Sequence, residues 1–153
     1  MKNAIWLLVL ILAGCAPAPA TTTTPKSGSA MPASIVEPYL KIQAALAKDT
    51  VDEVRANAGN IATAAAALGA PAMKIDMAAV QLASATAIDD AREKFGALSE
   101  AVVAYMDGLH LTSPEGVRVA FCPMKAKPWL QQGDAINNPY YGASMQTCGS
   151  FRP

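Results

Sequence analysis

The sequence has few of the side chains that most enzymes use for catalysis. It contains a single histidine, His110, in 153 residues. An imidazole without a serine or cysteine at an identifiable spacing is weak support for a nucleophilic triad. A Gly-rich phosphate loop, a recognisable acid/base pair of carboxylates and an Asp/Glu cluster for a hard metal ion are also missing from the sequence. These absences predict a protein that is not an enzyme.

An excess of charge of one sign is also absent. Lys and Arg together number 12, Asp and Glu together number 12, and the formal charge at pH 7 is zero. Nucleic acid is bound through a basic patch or stripe, and the sequence shows none. We therefore expect no nucleic acid partner. Charged residues on the helices, such as Lys74, Asp76 and Arg92, are typical of a solvated outer face.

The first fourteen residues have the pattern of a secretion leader. Lys2 precedes an apolar run from Ala4 to Leu12, which is shorter than the roughly 20 apolar residues of a membrane-spanning helix. The order Leu-Ala-Gly-Cys at residues 12–15 resembles the lipobox of bacterial lipoproteins, in which the cysteine is acylated and becomes the first mature residue. The sequence thus predicts a lipoprotein signal peptide over residues 1–14 and a lipid anchor on Cys15.

The expected location is the cell envelope, with the membrane as a partner through this anchor. Ala16 follows the cysteine, so the aspartate that retains lipoproteins at the inner membrane in enterobacterial-type sorting is missing. We expect the periplasmic face of the outer membrane. Residues 16–33 are Ala, Pro, Thr, Ser and Gly with one lysine and few large apolar groups, which cannot offset the entropy of ordering. The prediction is an acylated cysteine and disordered tether over residues 15–33, and one domain over residues 34–153.

Four segments with helical periodicity follow the tether. Apolar residues recur at three- and four-residue spacing within residues 35–46, 51–68, 75–85 and 91–109. Ser34 with Glu37 and Thr50 with Glu53 match capping boxes at two helix starts. Short connections favour an up-down arrangement of neighbouring helices. The predicted fold class is all-α: an up-down four-helix bundle with an irregular C-terminal hook.

The C-terminal hook begins with an alternating segment, residues 117–121, which predicts one short extended element. Pro123 and Pro128 then argue against regular structure. The aromatic and turn residues further along are expected to act as structural anchors that hold the hook against the helices. They are Trp129, Asn138, Pro139, Tyr140, Tyr141 and Gly142.

Both remaining cysteines lie in the hook, and each stands close to a methionine. Thiolate and thioether are soft donors that prefer Cu(I), so Cys122, Met124, Met145 and Cys148 predict a Cu(I) or Ag(I) site. In the alternative, Cys122 and Cys148 form a disulfide, which is the default for an even pair in an oxidising compartment. The methionines then pack as ordinary apolar side chains. Zinc could be held by the two cysteines and His110, which would leave the methionines unused.

The same stretch resembles a known family through four ordered motifs. They are Cys122-Pro123-Met124, Trp129-Leu130-Gln131, Asn138-Pro139-Tyr140-Tyr141-Gly142 and Met145-x-x-Cys148-Gly149. This series is similar to an uncharacterised bacterial envelope domain that occurs in lipoproteins and at the C-terminus of some copper/silver-type efflux adaptor (membrane fusion) proteins. The similarity covers most of residues 35–150. It implies an envelope location and a heavy-metal context, with an efflux adaptor protein as a partner.

Two functions of different classes remain. In the first, the protein faces the periplasm and binds Cu(I) or Ag(I), either buffering the ion or assisting its efflux. In the second, it is a tethered interaction module of an envelope complex, with a structural Cys122–Cys148 disulfide and no metal. Two free thiols in the purified protein would favour the first function, and none would favour the second.

Overall fold

The computed structural model describes residues 24–153, and the predicted signal peptide, Cys15 and the first part of the tether lie outside these residues. Four helices precede a small sheet. Their bounds are α1 (Ala33–Ala47), α2 (Val54–Leu68), α3 (Met73–Ala83) and α4 (Ile88–Gly108), and the strands are β1 (Val117–Cys122), β2 (Lys127–Gln132) and β3 (Ser150–Phe151). Single-turn 3-10 helices lie at Ala70–Ala72 and Gly142–Ser144. In this part of the chain no helix has the length and apolar character needed to cross a membrane.

The prediction of an all-α bundle is wrong, because the C-terminal region forms a three-stranded sheet. The strand order is β2-β1-β3, and β1 pairs antiparallel with both neighbours. Consecutive helices pack against one another, whereas α1 and α4 touch at few residues and β2 contacts both of them. The sheet therefore lies where the first and last helices of an up-down bundle would pack against each other.

The predicted extended segment is confirmed as β1, while β2 was missed because it contains Pro128. Proline lacks the N–H that a strand donates to its neighbour, so it argues against a central strand. Strand β2 lies at the edge of the sheet, and an edge strand tolerates proline because one of its sides has no ladder partner. The run Trp129-Leu130-Gln131 in β2 is buried, because β2 faces α1 and α4.

Helix ends were predicted better by glycine than by capping boxes. Helix α2 ends before Gly69, whose φ is 78°, and α4 ends at Gly108. Both capping boxes are wrong: α1 begins behind Pro32, and neither α1 nor α2 has a side-chain cap. The fixed φ of Pro32 suits a helix start, and the hydroxyl of Thr50 accepts a hydrogen bond from the Asp52 N–H (3.1 Å) in a local turn instead.

Contacts with the domain begin upstream of the predicted boundary at Ser34. The Met31 side chain is buried, and its N–H donates to the carbonyl oxygen of Thr112 (2.9 Å). The Gly28 N–H donates to the carbonyl oxygen of His110 (3.1 Å). Further back, the Thr24 hydroxyl donates to the carbonyl oxygen of Leu68 (3.3 Å), at the end of α2. Residues 24–33 of the predicted tether thus lie against α2 and the segment after α4.

The core joins the helices to the sheet through aromatic side chains. Phe95 and Leu98 of α4 are fully buried, which confirms the register that the sequence predicts for this helix. The Phe95 ring lies 5.0 Å from the Tyr39 ring and 6.1 Å from the Tyr140 ring, centroid to centroid. The Tyr39 hydroxyl bonds the Ser99 hydroxyl and accepts from the Leu130 N–H (3.2 Å). Burial raises the pKa of Tyr39, so this hydroxyl stays neutral and connects α1, α4 and β2.

Candidate functional site

The pairing of β1 with β3 brings the two cysteines together. Ala120 lies opposite Phe151 and Phe121 lies opposite Ser150. Continuing this antiparallel register by one residue sets Gly149 opposite Cys122, with Cys148 next to it. A side chain at Gly149 would meet the Trp129 ring at 2.7 Å, so only glycine allows this close approach of the C-terminal segment to the sheet.

This register makes the two thiols neighbours, close enough for Cys122 to raise the pKa of the Cys148 thiol. Both are free, with Cys122 fully buried at the end of β1 and Cys148 half-buried. Partial burial raises the pKa of the Cys148 thiol, and the neighbouring Cys122, which repels a second negative charge, raises it further. Cys148 therefore holds its proton at neutral pH, and the pair is open to solvent only on the Cys148 side.

Asn138 connects the two cysteines with its side-chain amide. This residue is fully buried, and its Nδ2 donates to the Cys122 Sγ (3.3 Å) and to the carbonyl oxygen of Cys148 (2.6 Å). Its Oδ1 accepts from the Tyr140 N–H (2.8 Å), and its own N–H donates to the carbonyl oxygen of Gln146 (2.8 Å). Sequence reasoning gave Asn138 only an anchoring role, because the Asn-Pro step reads as turn chemistry. In the structure it also contacts a sulfur atom.

The two predicted methionine ligands lie at the surface. Met124 lies in the turn between β1 and β2 and is 64% exposed, while Met145 follows the second 3-10 helix and is 37% exposed. Across residues 24–153, no group of three or more His, Cys, Asp or Glu side chains is placed to hold a metal ion. The zinc alternative with His110 is therefore not formed. The structure brings the two thiols close together and leaves both methionine thioethers exposed.

The aromatic residues of the hook pack beneath the thiol pair. Trp129 is fully buried, and its Nε1 donates to the Gln131 Oε1 (3.0 Å). Its ring meets the Tyr140 ring edge-on at 5.9 Å, and the Tyr140 hydroxyl donates to the carbonyl oxygen of Pro128 (2.5 Å). Burial raises the pKa of Tyr140, which therefore acts as a neutral donor. Tyr141 is half-buried, with the Lys125 ammonium 5.8 Å from its ring centre.

Arg92 positions the Asn-Pro-Tyr-Tyr-Gly segment, although the sequence indicated a solvated residue. Its side chain is only 12% exposed. The guanidinium donates to the carbonyl oxygens of Pro139 (3.0 Å) and Leu46 (3.0 Å) and forms an ion pair with Asp49. Asp49 also accepts from the Ala143 N–H (3.0 Å), and this bond, followed by Arg92, lowers the pKa of its carboxyl. The α1–α2 corner and α4 thus hold the segment that carries Asn138.

Gly142 is the backbone position that lets this ion pair close over the segment. Its φ is +53°, and a Cβ at this position would overlap the side chains of Asp49 and Arg92. Glycine adopts positive φ without steric cost and leaves the space free. The sequence singled out Gly142 as a turn residue, but the arginine and carboxylate that require it lie 50 and 93 residues away along the chain.

Comparison of the chain with models of known protein families, with curated proteins and with solved structures found no match.

Proposed function

We propose that this chain is a lipid-anchored protein of the cell envelope whose two cysteines bind a soft monovalent metal ion, Cu(I) or Ag(I). One observation carries the proposal. Cys122 and Cys148 lie side by side, and a buried amide of Asn138 donates to the Cys122 sulfur. The ion is cargo that the protein buffers or passes on.

The donor set suits a soft ion better than a hard one. Thiolates favour Cu(I) and its heavier analogue Ag(I), both of which accept as few as two sulfur ligands. A structural zinc site takes four nitrogen or sulfur ligands, and the described residues bring only two together. An N–H donated to sulfur stabilises a metal-bound thiolate, because it offsets the negative charge. The same hydrogen bond would stabilise a disulfide less, because the sulfur of a disulfide is neutral and a weak acceptor.

The burial of the pair sets how an ion reaches it. Cys122 is closed to solvent, so the ion enters beside the half-buried Cys148. Both thiols must lose their protons when the metal binds. Because the pKa of Cys148 is raised, its thiol is protonated and neutral in the empty site. This arrangement avoids an uncompensated buried charge until the ion arrives.

The anchor and the metal context rest on sequence motifs. The lipobox at residues 12–15 supports acylation of Cys15, and the Cys-Pro-Met and Met-x-x-Cys-Gly motifs support a heavy-metal role by resemblance. An efflux adaptor is the receiver that this resemblance favours. Replacement of Cys15 by alanine should abolish lipid labelling of the protein in cells, and labelling that persists would overturn the anchor.

Competition of the reduced protein against a Cu(I) chelator tests the metal site. We expect Cys122→Ser and Cys148→Ser each to weaken Cu(I) binding by more than about a hundredfold, since each removes a ligand rather than an outer contact. Met145→Leu and Met124→Leu should weaken it far less, because both side chains are exposed. An affinity unchanged in the double cysteine variant would eliminate the site.

A second function is favoured by the same contact between the thiols. A disulfide between Cys122 and Cys148 would close the loop between them and stabilise the fold by about 3.5 kcal/mol on the chain-entropy model. The protein would then be a tethered interaction module without metal. Titration of free thiols in protein purified from the envelope without reductant separates the two functions: two thiols support the metal site, and none supports the cross-linked module.

A further inference from the structure

The middle of the chain has almost no charge. Residues 56–88 contain two charged side chains, Lys74 and Asp76, although the whole chain has 12 basic and 12 acidic residues. These residues form most of α2 and all of α3. Asp76 is half-buried, which leaves Lys74 as the exposed charge of this region. Such a surface differs from the solvated helix faces elsewhere in the domain, which carry acids and bases.

Helix α3 presents three large apolar side chains to solvent. Met73, Met77 and Val80 are 56%, 58% and 57% exposed, and their spacing of four and three residues puts them on one side of the helix. Met77 also lines an open groove between α3 and α4, together with alanines and with Lys74, Gln81 and Glu100, whose carboxylate is paired with Lys127. We call Met73, Lys74, Met77 and Val80 the charge-poor face. Large apolar side chains exposed together on one helix face are typical of a contact site.

The chain enters the domain beside this face. The Thr24 hydroxyl donates to the carbonyl oxygen of Leu68 at the end of α2, and a hollow at that end is lined by Gly69, Met73 and the half-buried Asp76. Cys15 precedes Thr24 by nine residues. Nine residues span at most about 32 Å when fully extended, and a domain of this size has a radius of gyration of about 14 Å. The acyl chains of Cys15 therefore hold the α2–α3 end of the domain near the bilayer.

We propose that the charge-poor face rests on the lipid bilayer that holds the acyl chains of Cys15, so that the domain has a fixed orientation on the membrane. This inference rests on the lipid anchor proposed above. Apolar side chains of Met73, Met77 and Val80 reach into the interface, and Lys74 lies level with the lipid phosphates, where long basic side chains are favoured.

The anchor makes a weak contact sufficient. A short connection keeps two sites at an effective concentration on the order of millimolar, so the face needs little affinity of its own. Three exposed apolar side chains without aromatic residues would bind a membrane poorly from free solution, and here they do not need to. The contact orients the domain, while the acyl chains hold it.

Methionine oxidation provides the test, because the chain contains its own reference. Metal-free acylated protein is reconstituted in phosphatidylethanolamine/phosphatidylglycerol vesicles and treated briefly with dilute hydrogen peroxide, and sulfoxide is measured at each methionine. Met124, in the β1–β2 turn and outside the charge-poor face, is 64% exposed and comparable in exposure to Met73 and Met77. If the face is covered for about nine-tenths of the time, Met73 and Met77 should oxidise about tenfold more slowly than Met124.

A charge placed on the face should release it. Val80→Asp should bring the oxidation rates of Met73 and Met77 close to that of Met124, because a carboxylate is costly to bury among lipid chains. Val51→Asp is the matched control, since Val51 is an exposed valine in the α1–α2 connection and its replacement should leave the protection unchanged.

Equal oxidation at all three methionines in acylated wild-type protein would overturn this inference alone. Protection that disappears when the number of protein copies per vesicle is lowered would also overturn it, because a second copy of the chain would then be covering the face. A chain that never acquires lipid would overturn the anchor and this inference together.

Discussion

Replacement of Asn138 by alanine separates the role of its amide in folding from its role at the sulfur. The change removes the donor to the Cys122 Sγ, and it leaves the Cys148 carbonyl and the Tyr140 N–H without their side-chain partner. One of these backbone groups is fully buried and the other partly so. A buried polar group left unpaired costs about 1 to 3 kcal/mol, so the free energy of unfolding should fall by about 2 to 4 kcal/mol.

The same variant should weaken Cu(I) binding by about 10- to 100-fold, the usual effect of losing an outer contact to a metal ligand. Tyr140→Phe is the matched control. It removes the hydrogen bond from the Tyr140 hydroxyl to Pro128 in the same segment, which should cost about 1 kcal/mol of stability, and it should leave the Cu(I) affinity unchanged because no thiol loses a partner.

Both quantities are measured on the reduced protein: unfolding in urea by circular dichroism, and Cu(I) affinity by competition with a chelator in the absence of denaturant. A folded Asn138→Ala protein with wild-type affinity would refute the role of the amide at the sulfur. A loss of stability below about 0.5 kcal/mol would contradict the burial of Asn138. If Tyr140→Phe lowered the affinity as much as Asn138→Ala, the effect would belong to the segment as a whole.

Three further outcomes are expected. Phe95→Ala should lower the free energy of unfolding by about 3 to 5 kcal/mol, because the ring is fully buried between α1 and the hook, and a loss below about 1 kcal/mol would contradict this packing. Gly142→Ala should lower the free energy of unfolding by at least about 2 kcal/mol, because the alanine would need a positive φ and its Cβ would overlap Asp49 and Arg92. Gly59→Ala is the control: Gly59 lies inside α2 with open space around it, so this change should raise the free energy of unfolding by about 0.5 to 1 kcal/mol. Equal effects of the two changes in urea unfolding would refute the argument. Cu(I) affinity should rise with pH, because bound metal displaces thiol protons and the pKa of Cys148 is raised. The rise should be up to about a hundredfold per pH unit if two protons are released. An affinity that is constant between pH 6 and 8 would show that thiolates are not the ligands.

The helices could be predicted from the sequence because their signals are local. Apolar spacing over three and four residues fixes which side of α4 is buried, and Phe95 and Leu98 lie where this spacing puts them. The sheet could not be predicted in the same way. Strand β3 is two residues long, too short for a pattern, and it forms only by pairing with β1 about 30 residues earlier.

Strand β2 was lost for a different reason. Pro128 argued against a strand more strongly than the run Trp129-Leu130-Gln131 argued for one. A strand tolerates proline only where it lies at the edge of a sheet or at a bulge. That position is set by the order of the whole sheet, which residues near Pro128 do not encode. The consequence was an incorrect fold class, although the extended character of β1 was predicted.

The thiol pair was within reach of sequence reasoning, but the residues that position it were not. Two cysteines at either end of a motif-rich stretch pointed to their approach. The contacts of Arg92 with Leu46 and Pro139 join residues 46 and 47 positions apart. A charged residue on a helix is usually solvated, so spacing alone gave no reason to bury it. The one local signal was Gly142, because a glycine in a turn often marks a place where the backbone packs too closely for a side chain. Here the neighbouring groups are Asp49 and Arg92.

These contacts make the helices a frame for the thiols rather than a separate unit. Arg92 on α4 holds the carbonyl of Pro139, the residue after Asn138, and Asn138 holds the Cys148 carbonyl and the Cys122 sulfur. The relative position of the two cysteines thus depends on Asn138, which lies in the loop between them, and on Arg92, which holds this loop against α4 from outside. A site held from outside keeps its shape when its protons leave, which allows a metal ion to bind without refolding the segment.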